Sequence, residues 1–158
     1  MEQKLLPYLQ VLTKLEAYCA YQERCHSDVR QKLWEFKLDT NEQEQLLTAL
    51  IQSGFLNEER FVRAFVRGKA RIKKWGKVRI TAELKARNIS NPLIQIGLTE
   101  IADDDWDQQL TLLADKLWEK AQKGTEWQRK KAFFDPLLRK GYDWQSIQDE
   151  WDQRRKEA

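Results

Sequence analysis

Residues that bind metals are scarce in this sequence. It has one histidine, His26, and two cysteines, Cys19 and Cys25, which stand six residues apart with no ligand spacing around them. A structural zinc site needs about four ligands, so we expect no metal site. The two cysteines are predicted to be free thiols in a reducing cytoplasm.

Sequence features of membrane and secreted proteins are missing as well. No apolar run approaches the roughly 20 residues that a membrane-spanning helix needs. The first residues lack an apolar stretch followed by a small-residue cleavage site, which is the pattern of a secretory signal. We therefore expect a cytoplasmic protein without a membrane partner.

Signatures of catalysis are also absent. There is no glycine-rich loop to hold phosphates, and no serine or cysteine stands in a motif with a plausible base. Acidic pairs such as Asp103 and Asp105 are better explained as charges at the start of a helix. The sequence predicts no catalytic residue, no cofactor and no enzyme activity.

Glycine and proline are few, with six and three among 158 residues, and this favours helices over an all-β fold. Apolar residues recur at three- and four-residue spacing, and no run alternates strictly over the length of a strand. We predict about nine helices and no sheet. Asn41 and Asn57 are predicted to cap helices, and Gly54 to end one in the left-handed conformation.

The apolar pattern repeats along the chain with a period near fifty residues. Five positions recur at an offset of 51, where Val29, Leu33, Leu38, Leu47 and Leu50 match Ile80, Leu84, Ile89, Leu98 and Ile101. Four recur again at an offset of 104, as Phe133, Leu137, Tyr142 and Trp151. A unit of this size can hardly close a core alone, so neighbouring units must stack.

The predicted fold is therefore all-α, with tandem three-helix repeats forming an elongated, curved, right-handed helical array. An N-terminal helix over residues 1–24 leads into three repeats. The predicted repeats cover residues 25–75, residues 76–124 and a truncated third copy over residues 125–158. They are expected to form one unit built from repeats.

Positive charge is concentrated in one segment, from Arg60 to Arg87, which we call the basic segment. It carries eleven Lys or Arg residues and one acid, Glu83, although the net charge of the chain is only +3. So many like charges repel one another more than a plain surface requires, which predicts contact with an anionic partner. The predicted partner-binding or DNA-binding residues are Arg63, Arg67, Lys69, Arg71, Lys73, Lys74, Trp75, Lys77, Arg79, Lys85 and Arg87.

Two features of this surface have more than one interpretation. Trp75 could stack on a base or fill the turn against the core, and the second interpretation is favoured. A thinner basic patch near Gly124 is diluted by Glu119 and Glu126, and either contact or simple solvation explains it. That patch consists of Lys116, Lys120, Lys123, Arg129, Lys130 and Lys131.

Three stretches together resemble the RecX regulatory proteins. Residues 54–62 (GFLNEERFV) resemble a Gly-Leu-(Leu/Ile)-(Asp/Asn)-(Asp/Glu) signature that ends in an aromatic and a small apolar residue. Residues 75–89 resemble the glycine-led helix of the family's second repeat, and residues 139–143 (RKGYD) resemble the turn of its third. The chain departs from the family pattern at Cys25, where serine is usual, and at Lys37–Leu38 and Asn88, where glycine is usual.

The resemblance implies a function that composition and spacing do not give. RecX proteins modulate the RecA recombinase by lying in the groove of its filament on DNA, usually inhibiting strand exchange and ATP hydrolysis. The expected partners are thus the RecA filament and the single-stranded or duplex DNA within it, and a monomer is expected. The alternatives are a stand-alone DNA-binding helical protein and a helical-repeat adaptor for another protein.

Overall fold

The computed structural model describes residues 2–158, with side chains from Pro7 onward. Over this range the chain forms nine α-helices, one short 3-10 helix (Trp34–Phe36) and no strand, so the all-α prediction is confirmed. The α-helices are α1 (Glu2–Tyr21), α2 (His26–Leu33), α3 (Thr40–Gln52), α4 (Glu58–Arg71), α5 (Lys77–Ala86), α6 (Asn91–Leu98), α7 (Asp103–Lys120), α8 (Glu126–Lys140) and α9 (Trp144–Glu157). No described helix is long and apolar enough to cross a bilayer.

The helix ends show which local signals determine the start and end of each element. Asn57 caps α4 as predicted, because its Oδ1 accepts a hydrogen bond from the Arg60 amide at 2.9 Å. Gly54 has a φ of 83°, which is the predicted left-handed conformation after α3. The prediction for Asn41 is wrong. Asp39 caps α3 instead, its carboxylate accepting from the Glu42 amide at 2.8 Å, and its negative charge also suits the helix dipole.

The chain divides into two compact units. The first consists of Met1–Ala64 and Lys85–Gly97, and the second of Phe65–Leu84 and Leu98–Ala158. The core of the first unit is mainly aliphatic, with fully buried leucines from α1, α2 and α3 such as Leu15, Leu33 and Leu50. These residues lie on the apolar stripes that the three- and four-residue spacing predicted.

The core of the second unit is rich in aromatic side chains. Phe133 of α8 is fully buried, and its ring centroid lies 5.3 Å from that of Trp151 of α9. Trp118 of α7 meets Trp151 edge-on at 5.1 Å. Such tilted and edge-to-face contacts add about 0.5–1.5 kcal/mol each beyond the burial of area, so they fasten α7, α8 and α9 to one another.

The sequence repeat is visible in the backbone. α2 and α5 begin 51 residues apart, at His26 and Lys77, and α3 and α6 begin 51 apart, at Thr40 and Asn91. Three residues at one register of the repeat have positive φ, namely Lys37 at 49°, Asn88 at 60° and Gly141 at 99°. The residue at this position therefore has the left-handed backbone conformation in all three turns, and only the third of them is a glycine. The predicted repeat boundaries and the handedness of the array stay predictions.

Candidate functional site

Helix α4 carries the first half of the basic segment. Val62, Val66 and Ala70 are fully buried at four-residue spacing and fix the inner side of the helix. Glu58 and Glu59 lie in its first turn and Lys69 and Arg71 in its last, so the charges at both ends suit the helix dipole. The inner stripe leaves the remaining cations on the outer sides of α4.

Some of these cations already have carboxylate partners on the surface. Arg63 pairs with Glu59 at 3.0 Å, Arg67 with Glu100 at 3.2 Å, and Lys77 with Asp103 at 3.3 Å. The Lys77–Asp103 pair is exposed on both sides and contributes about 0–1 kcal/mol, so an incoming anion could replace the Asp103 carboxylate at little cost. In contrast, no ion pair forms at Arg71, Lys73, Lys74 or Lys85 within the described part of the chain.

The turn between α4 and α5 is held by the turn between α8 and α9, an arrangement that we call the turn clamp (residues 72–78 against 139–142). The Gly76 amide donates to the Lys140 carbonyl at 2.8 Å, and the Val78 amide donates to the Gly141 carbonyl at 3.0 Å. The first amides of a helix and the last carbonyls of a helix have no partners inside their own helix. Here the start of α5 and the end of α8 satisfy each other.

Two glycines make this close approach possible. A Cβ atom on Gly76 would lie 2.5 Å from the Gly141 carbonyl oxygen and 2.9 Å from Cδ1 of Tyr142. A Cβ on Gly141 would lie 2.3 Å from Cβ of Arg79, and Gly141 is also left-handed. Any side chain at either position would therefore push the two turns apart.

Side chains complete the clamp from both sides. The Tyr142 hydroxyl donates to the Lys74 carbonyl at 2.9 Å and accepts a hydrogen bond from the Gln109 amide. Burial raises the pKa of Tyr142, so its hydroxyl keeps the proton that it donates. Nζ of Lys140 donates to the Lys73 carbonyl at 2.9 Å. These two contacts therefore fix the backbone from which the side chains of Lys73 and Lys74 project. Lys74 lies in the left-handed region, with a φ of 60°.

Trp75 lies half-buried in this turn with two cations near its ring. Cζ of Arg79 lies 4.0 Å from the ring centroid and Nζ of Lys69 lies 5.0 Å from it. Arg79 also donates to the Arg139 carbonyl at 3.0 Å. These contacts agree with the interpretation of Trp75 as a packing residue of the turn, and they hold Lys69 and Arg79 in place.

A cleft brings the end of α4 together with a cation from elsewhere in the sequence. Arg71, Lys74 and Lys116 line the same cleft of about 510 Å³. Its apolar lining comes from Ile101, Leu112 and Leu113, and its polar lining from Asp105, Gln108 and Gln109. Lys116 was predicted only as part of the thinner patch, because its distance of 42 residues from Lys74 in the sequence conceals their proximity.

The predicted site residues do not all fall in one unit. Arg67, Lys69, Arg71, Lys73, Lys74, Trp75, Lys77 and Arg79 belong to the second unit, where the turn clamp organises them. Arg63, Lys85 and Arg87 belong to the first unit. The clamp adds Arg139 and Lys140 to the second-unit group, and neither was among the predicted site residues. Within residues 2–158, no group of three or more His, Cys, Asp or Glu residues is placed to hold a metal ion.

Comparison with known proteins identifies the segment that carries this turn. Residues 57–98 match the family model described as the second three-helix domain of RecX. This range contains α4, the turn at Trp75–Gly76, α5 and α6. The resemblance to the RecX family is confirmed.

The similarity to individual RecX proteins covers more of the chain. The regulatory protein RecX of Lactobacillus gasseri is 28% identical over 90 residues, which are 57% of this chain and 33% of that protein. That of Serratia proteamaculans is 29% identical over 105 residues, 66% of this chain and 61% of that one. The match thus spans only about a third of the Lactobacillus relative.

A solved RecX structure extends the likeness of fold. The crystal structure of RecX from Lactobacillus salivarius superposes with a TM-score of 0.81, covering 93% of this chain and 96% of that one, at 18% sequence identity. Identity this low shows a shared all-α helical-repeat fold. The turn clamp lies on elements of that fold, from α4 to α9.

Proposed function

We propose that this chain is a regulatory protein that binds a RecA–DNA filament and inhibits the ATPase and strand-exchange activities of the recombinase. The proposal depends on one observation above all, which is the ordered turn between α4 and α5, called here the basic turn (residues 72–76). The turn clamp presents Lys73 and Lys74 from a fixed backbone, and Lys74 shares a cleft with Arg71 and Lys116. The names of the relatives, regulatory protein RecX, support the regulatory part of the proposal.

The chemistry of the site suits the surfaces that such a filament exposes. DNA phosphates and protein carboxylates both bind guanidinium and ammonium groups through charge-assisted hydrogen bonds. Because the backbone of Lys73 and Lys74 is already held by the clamp, mainly their side chains lose conformational entropy on binding. Lys77, whose ion pair with Asp103 is exposed and weak, can be recruited around this centre at small cost.

The direct test measures the DNA-dependent ATPase of the recombinase on single-stranded DNA with increasing amounts of this protein. We expect the rate to fall at amounts near or below those of the recombinase. The double variant Lys73→Glu, Lys74→Glu should lose both filament binding and inhibition while its helicity stays unchanged. A matched control, Lys14→Glu with Lys156→Glu, reverses two exposed charges outside the basic segment and should inhibit like the wild type.

Two outcomes would contradict the proposal in different ways. An unchanged ATPase rate with the wild-type protein, together with unchanged strand exchange, would reject the regulatory function. Full inhibition by the Lys73→Glu, Lys74→Glu variant would leave the function intact but exclude the basic turn as the contact.

A further inference from the structure

The outer side of α8 exposes more aromatic surface than packing requires. Trp127, in the first turn of α8, is 69% exposed, and Trp144, at the start of α9, is 53% exposed. Both belong to the second unit, whose core already contains Trp118 and Trp151. Tryptophan is mostly buried in folded proteins, so two open indoles near one helix point to a ligand.

Each indole has a lysine beside it. Nζ of Lys131 lies 5.1 Å from the ring centroid of Trp127, one helical turn along α8. Nζ of Lys130 lies 5.9 Å from the ring centroid of Trp144 and 5.2 Å from that of Phe134. The Phe134 and Trp144 rings lie 5.8 Å apart, which fixes the position of Trp144. An indole ring and a lysine ammonium group therefore lie side by side at two places on this surface.

The charge on α8 is strongly positive. The helix carries five cations, Arg129, Lys130, Lys131, Arg139 and Lys140, against two carboxylates. Glu126 forms an exposed ion pair with Arg155 at 2.5 Å. Asp135 is the remaining acid, and it lines a shallow groove of about 330 Å³ together with Trp127, Lys131 and Arg139. An anionic ligand that crosses this groove meets more cations than acids.

We propose that this surface, formed by Trp127, Lys130, Lys131, Arg139 and Trp144 and called here the α8 face, binds single-stranded nucleic acid. Bases stack on Trp127 and Trp144, while Lys130, Lys131 and Arg139 contact the flanking phosphates. Stacking platforms interleaved with cations are the usual means of binding a single strand without reading its sequence. An acidic polypeptide would use the cations but would not stack on the exposed surface of the two indoles.

The α8 face shares Arg139 with the turn clamp but does not include Lys73 or Lys74, and its binding of a single strand does not require a recombinase. The experiment therefore uses the whole chain alone, with a fluorescently labelled oligothymidylate and an abasic oligodeoxynucleotide of the same length. The wild type should bind the oligothymidylate more tightly than the abasic strand. Trp127→Ala should weaken oligothymidylate binding roughly 5- to 150-fold and leave binding of the abasic strand unchanged.

Two controls separate stacking from charge and from folding. Lys131→Gln should weaken binding of both strands and reduce the slope of log affinity against log salt by about 0.7 for one lost phosphate contact. Trp34→Ala removes an indole that is 75% exposed in the first unit and should change nothing. Because Trp127 is so exposed, circular dichroism of its variant should match the wild type.

Three results would overturn the proposal. Equal wild-type affinity for the two strands would show that bases make no contact. An unchanged affinity of Trp127→Ala would remove its indole from the site. Competition by polyglutamate as strong as by the oligothymidylate would identify the α8 face as a site for an acidic polypeptide. None of these results bears on inhibition of a recombinase, so the two proposals fail separately.

Discussion

Adding one methyl group at Gly76 should destabilise the second unit, because the turn clamp leaves no room for it. The new Cβ would lie 2.5 Å from the Gly141 oxygen and 2.7 Å from the Gly141 carbonyl carbon, and neither atom can rotate away. Real Cβ contacts at such distances essentially never occur. The start of α5 must therefore move away from residues 139–142.

The size of the effect follows from the contacts that this movement breaks. The Gly76 and Val78 amides would lose their bonds to the Lys140 and Gly141 carbonyls, which are 2.8 and 3.0 Å long. Each such hydrogen bond contributes about 1 kcal/mol, and overpacking adds about 1–3 kcal/mol. The lower entropy of alanine in the unfolded chain returns less than about 1 kcal/mol. We expect Gly76→Ala to lower the free energy of unfolding by roughly 2–5 kcal/mol.

Gly68→Ala is a matched control in the same unit. Gly68 lies inside α4, has no positive φ, and a Cβ there would meet nothing within 4 Å. The same chemical change should raise stability by about 0.5–1 kcal/mol, since alanine is the better helix former. Urea unfolding followed by circular dichroism at 222 nm measures both variants. Equal midpoints for wild type and Gly76→Ala would refute the clamp, and a large loss in Gly68→Ala would refute the helix argument.

Other changes test the hydroxyl of the clamp, the single buried cation among the described residues and the thiols. Tyr142→Phe should destabilise the protein by about 1–3 kcal/mol. Burial raises the folded-state pKa of Tyr142 above 10.0. The stability that the Tyr142 hydroxyl contributes is therefore complete below pH 10 and is lost as the pH rises through the folded-state pKa. In urea titrations at alkaline pH, the difference in stability between wild type and Tyr142→Phe should become smaller. Arg154→Met should cost roughly 2 kcal/mol in thermal unfolding, because Arg154 donates to Asp115 and Glu150 at 2.5 Å and is 8% exposed. Lys156→Met is its exposed counterpart and should have no effect. Burial raises the pKa of Cys19, and that of Cys25 to about 11, so Ellman's reagent should detect no thiol in the native protein and two after unfolding.

Local sequence signals were sufficient for most of the helices. Apolar spacing predicted helices and no strand. Asn57 caps α4 as predicted, and Gly54 has the predicted left-handed conformation after α3. The cap of α3 was misassigned because Asp39 and Asn41 are both good capping residues two positions apart. Local propensity does not choose between them, whereas the extended backbone at Asp39 does.

The site could be predicted only as far as it is local. The cations of α4 and of the following turn are visible in the sequence as one segment. Only tertiary contacts bring Arg139, Lys140 and Lys116 to this group. The hydrogen bonds that join Arg139 to Arg79 and Lys140 to Lys73 connect residues 60 and 67 positions apart in the sequence, and Lys116 lines the same cleft as Lys74. The repeat offered one signal, because Gly141 stands at the register of Lys37 and Asn88 and marks a turn. The repeat did not indicate that the turn at Gly141 would contact the start of α5.

Helices α2 and α5 stand at matching positions of the repeat, but different groups accept hydrogen bonds from their first amides. This difference changes the charge at the start of each helix. At the start of α2, the Cys25 amide donates to Asp28 at 3.1 Å and the His26 amide to Glu58 at 3.0 Å, so carboxylates cap this helix. At the matching start of α5, neutral carbonyls of the turn clamp take their place, and α5 has no acid in its first turn. A carboxylate cap at Gly76 would place negative charge beside Lys73 and Lys74. Because the clamp satisfies the amides without an acid, the helix start is stabilised and the basic turn keeps its charge for an anionic partner.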